Sequence, residues 1–208
     1  VLSSAQRVSK GAPSFSRPMF LLAAFFGGLA LLTKAPSLLL LPSIGLLMFA
    51  WSPQPGFLGR LRWSVPRYLV WLAIAVALVF AGWPAMWVNP RAAAGDVLNE
   101  IIANGGQPTD TGNFFMGRPV PVPGLWFYPA AVLLRTDPVT LIGLALALGA
   151  GVFALVRRRT LSGEARVLLS LLGFALLFAL AMDIEAKQFD RYLLPIWPAL
   201  AVLAAAGW

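Results

Sequence analysis

Neither cysteine nor histidine occurs in this 208-residue chain. The first absence removes any disulfide framework or thiolate metal site. The second argues against zinc chemistry and imidazole catalysis, so that any side-chain acid or base must be a carboxylate, a lysine or a tyrosine. Charge is scarce too, at 12% of residues, about half the fraction usual in a soluble domain. No nucleophile motif and no phosphate-binding glycine-rich loop appears. The glycines of Gly27-Gly28 and Gly149-Ala150-Gly151 fall inside apolar runs, where small residues permit close helix packing.

What remains is apolar. Hydrophobic residues make up 59% of the chain, and the mean hydropathy is +0.79. That composition points to an integral membrane protein. The net charge of +8 is read as basic cytoplasmic loops rather than nucleic-acid binding. The chain opens at Val1 without a methionine and stops at Trp208 within an apolar run. It therefore reads as an internal piece of a longer protein, and no signal-peptide pattern opens it.

The pattern predicts an all-α, polytopic transmembrane bundle forming one domain over residues 1–208, with about six spans: 18–33, 35–51, 68–88, 139–156, 167–182 and 193–207. The runs are continuous and rich in Leu and Ala, without the alternation of a barrel strand. Several fall short of the roughly 17–25 residues that cross about 30 Å of hydrocarbon. Six crossings put Arg7, Lys10, Arg17, Arg60, Arg62, Arg67, Arg157, Arg158, Arg159 and Arg166 inside, against one acid, Glu164. The outer side then holds six basic residues and seven acids, as the positive-inside rule expects.

Residues 89–137 become one long external loop. Within it, residues 96–102 carry an N-cap candidate, Asp96, and an apolar stripe of Val97, Leu98, Ile101 and Ile102. This predicts a short helix on the membrane surface, stopped at Asn104-Gly105-Gly106. Residues 117–124, with three prolines, read as extended and polyproline-like. Trp126, Phe127 and Tyr128 suit the interfacial aromatic belt.

The candidate sites lie on that outer face. Lys34 breaks an apolar hairpin: it is either a snorkelling lysine or a cation for an anionic headgroup. Arg91 follows Trp83, Trp87 and Pro90, and its guanidinium offers forked donors to phosphate. Arg118 and Tyr128 are weaker candidates for ligand contact, and Arg135 with Asp137 reads as an ordinary interfacial pair. The strongest candidate is Lys187-Gln188-Phe189-Asp190-Arg191-Tyr192, which sets four ionisable or charged groups between two apolar runs. The plain alternative is a solvated turn in which Asp190 pairs with Lys187 or Arg191.

Gly27-Gly28-Leu29-Ala30-Leu31-Leu32-Thr33-Lys34-Ala35-Pro36 resembles the G-L-A-x-L-T-K-x-P segment of glycosyltransferase family 39 and its relatives, among them protein O-mannosyltransferases and the lipid A aminoarabinose transferase. Lys187 to Pro195, with Pro198-Ala199-Leu200, resembles their K-x-x-R-Y-L-L-P-x-x-P-A-L segment. The resemblance implies a GT-C fold and an inverting membrane enzyme. It would use a polyprenyl-phosphate-linked sugar at the extracytoplasmic face of a bacterial inner membrane, with a lipid, glycan or protein acceptor. The family's catalytic acid is expected upstream of Val1, so this piece alone would be inactive, and Asp96 and Asp110 are not assigned that role.

On this reading Lys34, Arg91, Lys187 and Arg191 bind the donor phosphate, and Asp190, Tyr192, Arg118 and Tyr128 are substrate-cavity candidates. The cations would stabilise charge developing on the leaving phosphate. No metal site is evident, the cofactor is unknown and no nucleic-acid partner is expected. The competing reading is a lipid or solute transporter or flippase, although such proteins keep their charges near the bilayer midplane.

Overall fold

The computed structural model describes residues 16–105, 112–157 and 162–208. Arg7, Lys10, Asp110, Arg158 and Arg159, used in the charge argument, lie outside the described residues. The described chain is mostly helical, with one small hairpin. It divides into two compact units, the first ending at Ile102 and the second beginning at Ala103.

In the first unit α1 (Arg17–Leu31) packs along α3 (Phe57–Gly82). Between them lie a 3₁₀ turn (Ala35–Leu39) and α2 (Leu40–Ala50). Trp71, Ala24 and Ala75 form the buried centre. A side chain at Gly27 would collide with the Trp71 ring, and one at Gly28 would press on Leu78 and the Ala75 carbonyl. The predicted close-packing role of Gly27-Gly28 holds. Lys34 lies in extended backbone, separating α1 from the 3₁₀ turn, and Pro36 sits in the first turn of that segment, where its missing N–H is harmless.

Pro84 disfavours helix in the residue before it, leaving Trp83 extended at the end of α3. The indole of Trp87, in the short α4 (Ala85–Val88), donates to the Phe80 carbonyl at 2.6 Å. This satisfies one of the helix's last acceptors. α5 (Pro90–Gly105) begins earlier than Asp96. Asn89 accepts from the Ala92 amide at 3.1 Å, with Pro90 at the first helical position where its missing N–H is harmless.

The second unit opens with the antiparallel pair β1 (Asn113–Phe115) and β2 (Arg118–Val120), in register Phe115 to Arg118. The stretch predicted as polyproline-like therefore supplies a strand, ending at Gly124 with φ of 77°. Then come α6 (Phe127–Arg135), α7 (Pro138–Val156), α8 (Gly163–Asp183), a 3₁₀ segment (Asp190–Ile196) and α9 (Trp197–Gly207). α9 packs on α7 and α8, burying Leu200, Leu203 and Ala204 with Phe178 of α8. α7 and α9 approach at Gly143 and Gly207, where an added Cβ on either would meet the other's backbone. Gly149 and Gly151, expected to serve helix packing, have nothing within 4 Å of such a Cβ.

The six-span expectation is not supported. Among the described residues two helices are long and apolar enough to cross a membrane, Phe57–Gly82 and Gly163–Asp183. Only 11% and 17% of their apolar windows are buried. Arg17–Leu31, Ala35–Ala50 and Pro138–Ala154 are apolar but shorter. The expected span 193–207 is shortened because Pro195 interrupts the helix pattern, so that α9 starts only at Trp197. The third run shifts the other way: Arg60, Arg62 and Arg67, expected in a loop, ride the first turns of α3.

Candidate functional site

The second unit builds its polar centre around Gln188, which has no exposed surface. Its Oε1 accepts from the Gly124 amide at 3.1 Å, and its Nε2 donates to the Gly124 carbonyl at 3.4 Å. The same nitrogen reaches the Asp183 carbonyl at 3.2 Å and Asp183 Oδ1 at 3.3 Å. One amide thus ties the end of α8 to the turn after the hairpin. A buried amide of this kind is stable only because each of its polar atoms finds partners.

That tie positions the neighbours of Gln188. Asp190 pairs with Arg135 of α6 at 2.5 Å and accepts from the Arg191 amide at 2.8 Å. The Arg191 guanidinium lies 4.5 Å from the Phe189 ring centroid and 5.9 Å from that of Tyr192, a cation–π arrangement. Among the described residues Arg135 and Asp190 form the ion pair of this segment, so neither Lys187 nor Arg191 is neutralised by a carboxylate there. Both expected pairings fail for one reason: α6 delivers Arg135 to Asp190, while Asp137 turns to Thr140, accepting from its amide at 2.9 Å and its hydroxyl at 2.7 Å.

Tyr128 corrects the aromatic-belt expectation. It is 1% exposed, whereas its neighbour Trp126 is exposed. Its ring meets Phe127 edge-on at 5.1 Å. The phenol oxygen lies near the Phe189 backbone but makes no hydrogen bond of standard geometry. Burial, with the negative charges of Asp183 and Glu185 nearby, holds the phenol above the ordinary tyrosine range. Burial likewise raises the Glu185 carboxyl. Arg118 is exposed on β2.

The first unit holds Lys34 and Arg91, so the four expected phosphate ligands divide two and two between the units. Arg91 is exposed near the start of α5. Lys34 lines an open cleft of about 710 Å³, bounded by the end of α1, the 3₁₀ turn, the end of α3 and one stripe of α5. Thr33, Trp83, Asp96 and Glu100 share that cleft with Lys34, over an apolar floor. The apolar stripe expected to lie on a membrane surface is split. Val97 and Ile101 line the cleft, while Leu98 and Ile102 are 57% and 73% exposed.

Two features were not singled out from sequence. Gln188 stood inside the strongest segment, flanked by more conspicuous charges, and nothing local marks a partner as distant as Gly124. Asp96 and Glu100 carried a readable signal, since residues four apart share a helix face. No family model, curated protein or solved structure matches the chain.

Proposed function

We propose that the chain is part of an integral membrane glycosyltransferase of the GT-C type. It takes a sugar from a polyprenyl-phosphate donor and passes it to a lipid, glycan or protein acceptor on the extracytoplasmic face of a bacterial inner membrane. In this reading α3 and α8 cross the bilayer. No catalytic acid is assigned among the residues of this chain.

The observation that carries the reading is the pair of cations on the stapled segment. Asp190 is engaged by Arg135, so the positive charge of Lys187 and Arg191 remains available at the end of a long apolar helix. Cations fixed beside hydrocarbon suit a phosphate that carries a prenyl chain, and they oppose the charge that grows on it as the glycosidic bond breaks. In this reading Asp190, Tyr192, Arg118 and Tyr128 are the substrate-cavity residues.

The test is transfer of radiolabelled sugar from a purified polyprenyl-phosphate donor by the parent protein. Lys187→Ala and Arg191→Ala are each expected to lower transfer at least tenfold, in line with the loss of a charge-assisted contact. Unchanged transfer in both variants removes the site assignment. Lipid flipping without any transfer replaces the reading with a transporter.

A further inference from the structure

The cleft around Lys34 has a chemistry of its own. Its single ammonium, Lys34, shares the space with two carboxylates, Asp96 and Glu100. A phosphate placed there meets more negative than positive charge, and like charges at contact distance are costly once partly desolvated. The carboxylates instead carry hydrogen-bond acceptor oxygens. They project from adjacent turns of α5 into the same space. Trp83, half-buried, adds an indole at the end of α3. Leu31, Leu38, Val97 and Ile101 provide an apolar wall. The volume, about 710 Å³, falls within the range of roughly 300–1,000 Å³ common for small-molecule sites, which are mostly apolar with a few convergent polar groups.

We infer that this cleft binds the uncharged, hydroxyl-rich head of an amphiphile, a glycosyl group whose chain lies along the apolar wall. Hydroxyl groups donate to Asp96 and Glu100, the indole of Trp83 receives the C–H face of the ring, and the Lys34 ammonium donates to a ring or hydroxyl oxygen. The inference deepens the glycosyltransferase reading by giving Lys34 to the sugar rather than to the phosphate. Its binding test stands apart from any transfer activity.

The experiment uses the full chain in a zwitterionic detergent free of sugar and titrates three probes sharing one tail: octyl glucoside, octyl phosphate and octylammonium. Calorimetry reports binding, as does the part of the tryptophan emission, shared among eight indoles, that is lost in Trp83→Phe. Saturable binding of the glucoside is expected, at least tenfold tighter than the phosphate. The Asp96→Ala/Glu100→Ala pair and Trp83→Phe should each weaken it severalfold or more. The isosteric Asp96→Asn/Glu100→Gln pair, whose circular dichroism should match the parent, is expected to fall between parent and the alanine pair. Phosphate binding as tightly as the glucoside, or octylammonium binding more tightly, overturns the inference. So does glucoside binding that is absent or unchanged across the variants. Loss of glucoside binding with sugar transfer by the longer protein intact sinks the cleft alone, and glucoside binding with no transfer by that longer protein counts only against the enzyme reading.

Discussion

Arg135 bypasses Asp137, two residues away, and pairs with Asp190 at 2.5 Å. Two solvent-facing charges thereby hold α6 to the segment that carries Lys187 and Arg191. The side chains are 66% and 38% exposed, so the pair is worth only about 0.2–1 kcal/mol. Arg135→Ala and Asp190→Ala should each lower thermal stability slightly, and the charge-swapped Arg135→Asp/Asp190→Arg should recover part of the loss. A double-mutant cycle with no coupling would show the pair to be incidental.

Gln188 is the larger stabilising element. Gln188→Ala leaves the Gly124 amide and the Asp183 carbonyl without their partner, a loss of about 1–3 kcal/mol. Hydrogen exchange at the Gly124 amide should accelerate with it. Protection at that amide equal to the parent would contradict the clamp.

The buried phenol of Tyr128 predicts the opposite sign. Its oxygen has no hydrogen-bond partner of standard geometry, so Tyr128→Phe keeps the ring and removes an unsatisfied group. Stability should stay level or rise, by up to about 1 kcal/mol. A clear drop in melting temperature would reveal a partner for the phenol.

Two carboxylates respond oppositely to pH. The bonds from Thr140 lower the Asp137 carboxyl from its ordinary 3.8. Its contribution is present above that value and disappears as pH falls through the depressed folded-state value. Glu185 is raised from 4.5 by burial. Its protonated form is favoured in the fold, so stability declines as pH climbs from 4.5 through the raised value. Asp137→Asn should flatten the acid limb of a stability profile, and Glu185→Gln the limb above it. Profiles identical to the parent would rule out both assignments.

Gly207 lies against the Gly143 backbone. Gly207→Val should separate α9 from α7 and cost about 1–3 kcal/mol as overpacking, whereas Gly149→Val should be nearly silent, since nothing lies near it. Thermal melts of the two variants that coincide would disprove that crossing.

The local features were readable because their causes are local. Pro84 and Pro195 interrupt helices through their own rings, although Pro66 lies inside α3 without ending it. Gly27-Gly28 advertises close packing by lacking side chains, yet Gly149 and Gly151 have the same composition and, among the described residues, nothing within 4 Å of an added Cβ. The distinction depends on whether a neighbour is there, and a neighbour is a tertiary fact. The candidate segment 187–192 stood out by its charges, but the partners of Asp190 and Gln188 come from α6 and the Gly124 turn.

Composition and periodicity by themselves establish a helical, apolar chain whose charges gather outside its hydrocarbon-like runs. They do so because hydropathy and backbone preference act residue by residue. Span lengths, the engagement of Asp190 by Arg135 and the meeting of Lys34 with Asp96 and Glu100 in one cleft come from the folded arrangement. Each depends on where distant segments bring their side chains, and short-range energies do not set that.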